Sequence, residues 1–334
     1  MLARKALAGA PSVAPLYVTD VYSTTLYTGD SSTQSITNGL DLSGKGGLVW
    51  IRERNTAAAH CLFDTARGTG TVLSTNSSGG EVSTDAVTSF NNNGFTVKYP
   101  NTNDYYVNRS TKSNVSWSFR KAEKFFDVVA YSGNSVDDRA ISHNLGSTPG
   151  CVIIARRSGD DWFVYHRSLS SNNGLRLNTA GSASSNTSTV KSVSSTTFTV
   201  GTDGMVNVSG SNYVAYLFAH DAGGFGSAGT DSIVYCSTYQ GNGTDPGPTV
   251  TIGWQPQWLL VKRSSGGTGD WTLYDSVRNT SNPRENVFYP NTNQAEEVAS
   301  TVDFLSTGFQ PRTSSARVNA NGDNYVYIAI RKAN

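Results

Sequence analysis

Three apolar runs stand out along the chain: GLVWIRER at 47–54, CVIIARR at 151–157 and WLLVKR at 258–263. Short continuous apolar runs bounded by turn residues predict buried strands. Three further stretches alternate: NVSWSFR at 114–120, NYVAYLF at 212–218 and NYVYIAI at 324–330. In NYVAYLF, Tyr213, Ala215 and Leu217 alternate with Val214, Tyr216 and Phe218, so both faces are apolar. Side chains of a strand point alternately to its two faces, so such a strand is expected between two layers. Phe-centred strands follow the same spacing: GFTVK at 94–98, TFTVG at 197–201 and GFQPR at 308–312.

The pattern is periodic. Tyr27-Thr28-Gly29, Tyr131-Ser132-Gly133 and Tyr239-Gln240-Gly241 each open a stretch, about 104 and 108 residues apart. The apolar strand comes next, then one word in three spellings: HCLFDTAR at 60–67, WFVYHRSL at 162–169 and WTLYDSVR at 271–278. Phe63, Tyr165 and Tyr274 align, as do Asp64, His166 and Asp275. Arg67 and Arg278 match, with Leu169 in the middle copy. The Asp is expected to start a turn by accepting backbone N–H bonds, with the Arg three residues on pairing to it or to a carbonyl. A catalytic role for Asp64 and Asp275 is disfavoured because the middle copy carries His166.

These units predict an all-β chain of three pseudo-repeats of about 100 residues, packed as β-sandwich lobes after a short N-terminal arm. The boundaries are 1–20 for the arm, then 21–125, 126–228 and 229–334 for the repeats. RKAEKFFDVVAYSG runs without a linker from the first unit into the second, which favours packed lobes over beads on a string. The glycine-rich AHDAGGFGSAGTDS permits a sharp bend at the second joint. One continuous sandwich sharing strands between units is the alternative.

Composition agrees and excludes. Gly numbers 33, and Tyr, at 16, outnumbers Phe, at 13, which suits many short strands and turns. Charged residues make up 15% and the net charge is +1. A dedicated nucleic-acid binder would carry a basic stripe, and none is seen; Arg156-Arg157 and Lys262-Arg263 read as polar strand ends. No apolar segment is long enough to span a membrane as a helix. Pro11 and Pro15 interrupt the weakly hydrophobic N-terminus, so a cleaved signal is not expected. Cys61, Cys151 and Cys236 are odd in number and lack metal spacing; they read as small buried hydrophobes and not as a disulfide framework.

Candidate chemistry is sparse. His60, His143, His166 and His220 have no zinc-pair spacing. The close acid pairs, Glu81 with Asp85, Asp160 with Asp161, and Glu296 with Glu297, do not recur between units and read as solvated loops. No metal, no cofactor and no enzymatic activity is expected. Loop aromatics are the candidates for ligand stacking: Trp254, Tyr289, Tyr105 and Tyr106. In the arm, Leu2, Arg4, Lys5, Pro11 and Pro15 suggest an extended segment, read either as a disordered tail or as an arm that docks onto another chain.

The run from YTGDSSTQSITNGLDLSGKGGLVWIRERN through HCLFDTARG to GFTV resembles a repeated domain of structural proteins of tailed bacteriophages, especially marine ones. DVVAYSGN, CVIIARR, WFVYHRSL and YVAYLFAHDAGGFG are similar to it as well. The family pattern has a Tyr-[Thr/Ser]-Gly start, an apolar strand ending in basic residues, an Leu-Phe-Asp-[Thr/Ser]-x-Arg-Gly turn and a Gly-Phe-Thr strand. Unit one departs from it in having Gly47 near where a proline precedes the strand, and unit two lacks the Asp-Thr-x-Arg-Gly turn. The resemblance implies lectin-like β domains in a virion exterior protein made in the host cytoplasm. It leaves the position on the virion open; tail or tail-fibre association with contact to a host glycan or receptor is the first expectation. Partners are then other virion proteins through the arm, with no nucleic acid and no membrane insertion. A homo-oligomer, a trimer by the habit of such assemblies, is expected. A capsid decoration or tail-assembly protein is the alternative, and a glycan depolymerase the third.

Overall fold

The computed structural model describes residues 14–100 and 105–333. It is all-β, built from antiparallel sheets stacked in pairs. In the first pair a six-stranded sheet runs in the order Tyr22–Thr28, Ser113–Arg120, Gly47–Glu53, Cys61–Asp64, Gly68–Ser74, Val82–Ser83. Its partner is the three-stranded sheet Thr33–Thr37, Gly94–Lys98, Val87–Asn91. The second pair has the order Phe126–Ser132, Asn212–Phe218, Cys151–Arg156, Phe163–His166, Asn173–Arg176, Ser184–Ser185, facing Arg139–Ser142, Thr197–Val200, Val190–Val193. The third has Val234–Gln240, Asn324–Arg331, Pro256–Arg263, Thr272–Asp275, facing Val250–Thr251, Gly308–Pro311, Glu297–Leu305, Arg284–Val287. In each large sheet the order of the first four strands is the same: opening strand, closing strand, apolar strand, then the strand of the recurring word.

Burial follows the alternation. In Gly47–Glu53, Val49 and Ile51 pack with Ile36, Phe95 and Val97 inside the first pair. Leu48 and Trp50 point the other way, into a core common to all three pairs. The closing strand Asn212–Phe218 divides likewise: Tyr213, Ala215 and Leu217 lie in the second pair's own core, and Val214, Tyr216 and Phe218 in the common one. The expectation of a strand between two layers is met. The molecule therefore has three sandwich cores and a fourth, central core, built from the outer faces of the three large sheets. Phe119 of the first pair meets Phe218 of the second at 5.5 Å and Trp258 of the third at 5.6 Å, both edge to face. Such pairs add about 0.5–1.5 kcal/mol each beyond the area they bury.

The Tyr-x-Gly turns close the same way in all three pairs. The hydroxyls of Tyr27, Tyr131 and Tyr239 donate to the carbonyls of Val107, Val206 and Val318 at 2.5, 2.8 and 2.6 Å. The next residues, Asn108, Asn207 and Asn319, are fully buried and accept the N–H groups of Asp30, Asn134 and Asn242. A Cβ on Gly29, Gly133 or Gly241 would stand 2.2, 2.1 or 2.2 Å from a backbone oxygen, which only glycine avoids. This Val-Asn dipeptide recurs in the sequence, but its distance from each turn hid the link.

The second joint bends as its glycines suggest, with positive φ at Gly223, Gly224, Gly226 and Gly229. That bend receives the start of the described chain: Gly226 N–H donates to the Leu16 carbonyl at 2.8 Å, and Val18 and Val21 enter the common core. Residues 16–21 thus dock onto their own chain, and Val18–Asp20 is a 3-10 turn where an extended arm was expected. Pro15 precedes this contact; Leu2, Arg4, Lys5 and Pro11 lie outside the described residues. All three cysteines are buried and unpaired. Among the described residues no helix is long and apolar enough to cross a membrane.

Candidate functional site

The recurring word forms the seams between sheet pairs. Asp64 Oδ1 accepts the N–H groups of Ala66 and Arg67 at 3.1 and 2.9 Å, the expected turn. Its Oδ2 accepts from Arg67 Nε at 2.6 Å and from the hydroxyl of Tyr216, in the second pair, at 2.8 Å. Asp275 repeats this: Oδ1 takes Val277 and Arg278 N–H, and Oδ2 takes Arg278 Nε and, at 3.0 Å, the indole N–H of Trp117 in the first pair. Trp117 and Tyr216 occupy the same place in their strands, each paired two residues before the conserved-register Phe119 or Phe218. Both Asp and both Arg side chains are fully shielded from solvent. Burial pulls the Arg278 guanidinium down, but Asp275 and Glu296 outweigh it and hold it charged.

The middle copy departs for a reason visible across its seam. The third pair has Ile328 where Trp117 and Tyr216 stand, and an isoleucine offers no hydrogen. His166 instead meets the backbone carbonyl of Tyr327 through Nε2 at 3.1 Å, while its Nδ1 accepts Ser168 N–H. A neutral donor needs no cation beside it, and Leu169 takes the arginine's place. The contacts run first to second, second to third and third to first pair.

A second set runs in the opposite sense. Trp162 Nε1 of the second pair donates to Ser77 O of the first at 3.1 Å, and Trp271 Nε1 of the third donates to Arg176 O of the second at 2.9 Å. Buried Arg52 donates to Asn293 O and Gln294 O of the third pair, and Lys262 Nζ to Ala180 O of the second. Arg157 pairs with Glu81 of the first at 2.7 Å. Burial lowers Arg52 to about 10 and Lys262 to about 8. The reading of Lys262 as a polar strand end is corrected here: it crosses to the neighbouring pair because a buried ammonium needs carbonyl partners.

A family model described as a domain of unknown function matches residues 18–333. The chain belongs to that family, DUF7483. No curated protein matches it. The DUF7483 match runs through all three sheet pairs and both circuits of seam contacts.

In this DUF7483 chain five of the six acids in the close pairs are ion-paired and not simply solvated, and the sixth, Glu297, accepts from Tyr289 and Gln294. Glu296 bridges Arg54 and Arg278, each at 2.7 Å, and so ties the third pair to the first. Asp85 pairs with Lys98, Asp160 with Arg156 and Asp161 with Arg176. Tyr289 is 1% exposed; its hydroxyl bonds Glu297 and Arg317 covers its ring at 4.6 Å, so its face is closed to a ligand. Tyr106 lies between Tyr99 and Arg109, the latter 4.2 Å from its ring. Tyr105 and Tyr106 border a cavity of about 230 Å³ with Ala57, Asn76 and Asn293. Trp254 is half-buried beside a separate concavity. Among the described residues no group of three His, Cys, Asp or Glu is placed to hold a metal ion.

The histidines set an acid limit. Burial lowers His166 to about 4, and it depresses His60, His143 and His220 too. The folded state then binds fewer protons than the unfolded chain between the unfolded value of about 6.5 and the folded one. Stability is complete above that window and falls as pH drops through it. His166 alone contributes a slope of about 1.4 kcal/mol per pH unit. Urea midpoints at pH 7 and pH 5 are expected to differ, with the difference reduced in His166→Gln; equal slopes in both proteins would contradict this.

Proposed function

We propose that this chain is an exterior structural protein of a tailed-bacteriophage virion, associated with the tail or its fibres and contacting the host surface. Its residues 21–125, 126–228 and 229–334 act as three lectin-like lobes, pseudo-repeats of one unit. The observation that supports the reading is that HCLFDTAR, a word that bears the phage-domain resemblance, holds the buried Asp64 that joins the first lobe to the second, as Asp275 of the recurring word joins the third to the first. A rigid body of shared-core lobes suits presentation of loops at a particle surface. The part of the N-terminal arm ahead of the docked segment 16–21 supplies the anchor to other virion proteins, and copies assemble as a homo-oligomer, a trimer by the habit of such assemblies.

A capsid decoration protein is the second reading, favoured by the fourth core that makes the body self-contained without a shaft. Antibodies raised against the chain, viewed on intact particles by electron microscopy, separate the two. Label at the tail is the expected result. Label spread evenly over the head would replace the first reading with the second.

A further inference from the structure

Two concavities occupy equivalent places in the second and third lobes. The loops Gly146-Ser147-Thr148-Pro149 and Gly253-Trp254-Gln255-Pro256 lead into the apolar strands, whose Cys151 and Trp258 pair with Phe218 and Ile330. Each loop faces the chain leaving the closing strand, so His220 and Lys332, two residues past those partners, line the two spaces. The volumes are about 470 and 370 Å³. Small-ligand sites fall in this range.

Their chemistry is alike although the residues differ. One half-buried aromatic borders each: Tyr165 in the second lobe, Trp254 in the third. Cations border each: Lys124 and Arg167 in the second lobe, Lys332 in the third. Among the described residues none of these three makes an ion pair, whereas Arg331 beside Lys332 is neutralised by Asp231 at 3.1 Å. Polar groups add to the larger space. Ser147 Oγ is buried and has no partner. His220 accepts Cys236 N–H at Nδ1, so its remaining ring nitrogen carries the hydrogen. Two acids stand nearby: Glu123 packs on Gly146 with its carboxyl carbon almost as near as its stem, and Asp221 acts on His220 through space. Neither borders the concavity. In the first lobe the place is filled. Gly46, after the short helix Leu42–Lys45, sits against Thr65 and Lys121, and Lys121 is paired with Asp127 at 2.9 Å.

We infer that these two concavities bind acidic sugars, the aromatic ring taking the pyranose face and the unpaired cations the carboxylate or sulfate. The assignment of a saccharide rests on the host-surface reading above; the preference for an acid rests on Lys124, Arg167 and Lys332. Two such sites on one rigid body would engage a repeating acidic polymer at two points, multiplying a weak single-site affinity.

The test is an amide-resolved NMR titration of the full chain with glucuronate, N-acetylneuraminate and galactose 4-sulfate, each against a neutral parent sugar. At least one acidic sugar is expected to shift Gly146–Thr148 and the Trp254 indole, with its neutral parent at least tenfold weaker. Lys124→Ala with Arg167→Ala should remove the response at Gly146–Thr148 and leave Trp254 responding. Lys332→Ala should do the reverse. Arg167 and Lys332 are exposed and Lys124 is half-buried with its stem against Gly224, so unchanged spectra away from the loops are the check that each variant folds. No response to any acidic sugar, or equal response to the neutral parents, would overturn the inference. Particle labelling separates the two claims: tail label with silent loops removes the sugar sites alone, and responding loops with head label remove the host-contact reading alone.

Discussion

Asp64→Ala is expected to destabilise the chain by about 3–5 kcal/mol, the cost of leaving a buried charge without its partner. The residue left behind is Arg67, fully shielded and bonded to Asp64 through Nε. Its other contacts are the neutral Leu62 O and Thr71 Oγ1 and, at 3.7 Å, the Glu81 carboxylate, which is already engaged by Arg157 at 2.7 Å. The Tyr216 hydroxyl loses its acceptor at the same stroke, and an unsatisfied buried polar group costs about 1–3 kcal/mol by itself. Asp275→Ala should cost less, because Glu296 still faces Arg278 at 2.7 Å. Urea midpoints order the three proteins; an Asp64→Ala midpoint equal to the parent's would deny the seam its role.

His166→Asp is the second large effect, again about 3–5 kcal/mol, although it writes into the middle copy what the other two copies carry. The new carboxylate would be buried against the Tyr327 carbonyl, with Leu169 where an arginine is needed and Ile328 where a donor is needed. Adding Leu169→Arg and Ile328→Tyr rebuilds the first seam in the second, and the triple variant is expected to regain most of the loss. A triple variant as weak as the single one would show that the three seams are not interchangeable.

Local chemistry was legible in the sequence. NYVAYLF announced a strand buried on both faces because alternation fixes which side chains share a face, and Asp64 announced its turn because the acceptor and its N–H donors lie within three residues. Contacts across seams were not legible. Tyr216 lies 152 residues from Asp64, and Trp117 lies 158 from Asp275, and nothing in either segment names the other. The exchange of Asp for His at 166 looked like loss of a motif; it is a compensation for Ile328, readable only with both strands in register. Tyr289 looked like a loop aromatic because Pro and Asn follow it, yet it fills the third lobe's core. Trp254 was picked as a lone aromatic. Its equivalence to Ser147, and so the pairing of the two concavities, depended on aligning the loops through Cys151 and Trp258.

One core and two circuits of seam contacts are expected to make the three lobes unfold as a single cooperative body. The six tryptophans sample all three: Trp50 and Trp117 in the first lobe, Trp162 in the second, and Trp254, Trp258 and Trp271 in the third. The measurement is urea unfolding of the parent and Asp64→Ala proteins labelled with 5-fluorotryptophan, following each resonance by fluorine NMR. One midpoint is expected for all six signals in each protein, shifted down together by the substitution. A shift confined to Trp50 and Trp117, with the third lobe unmoved, would contradict it.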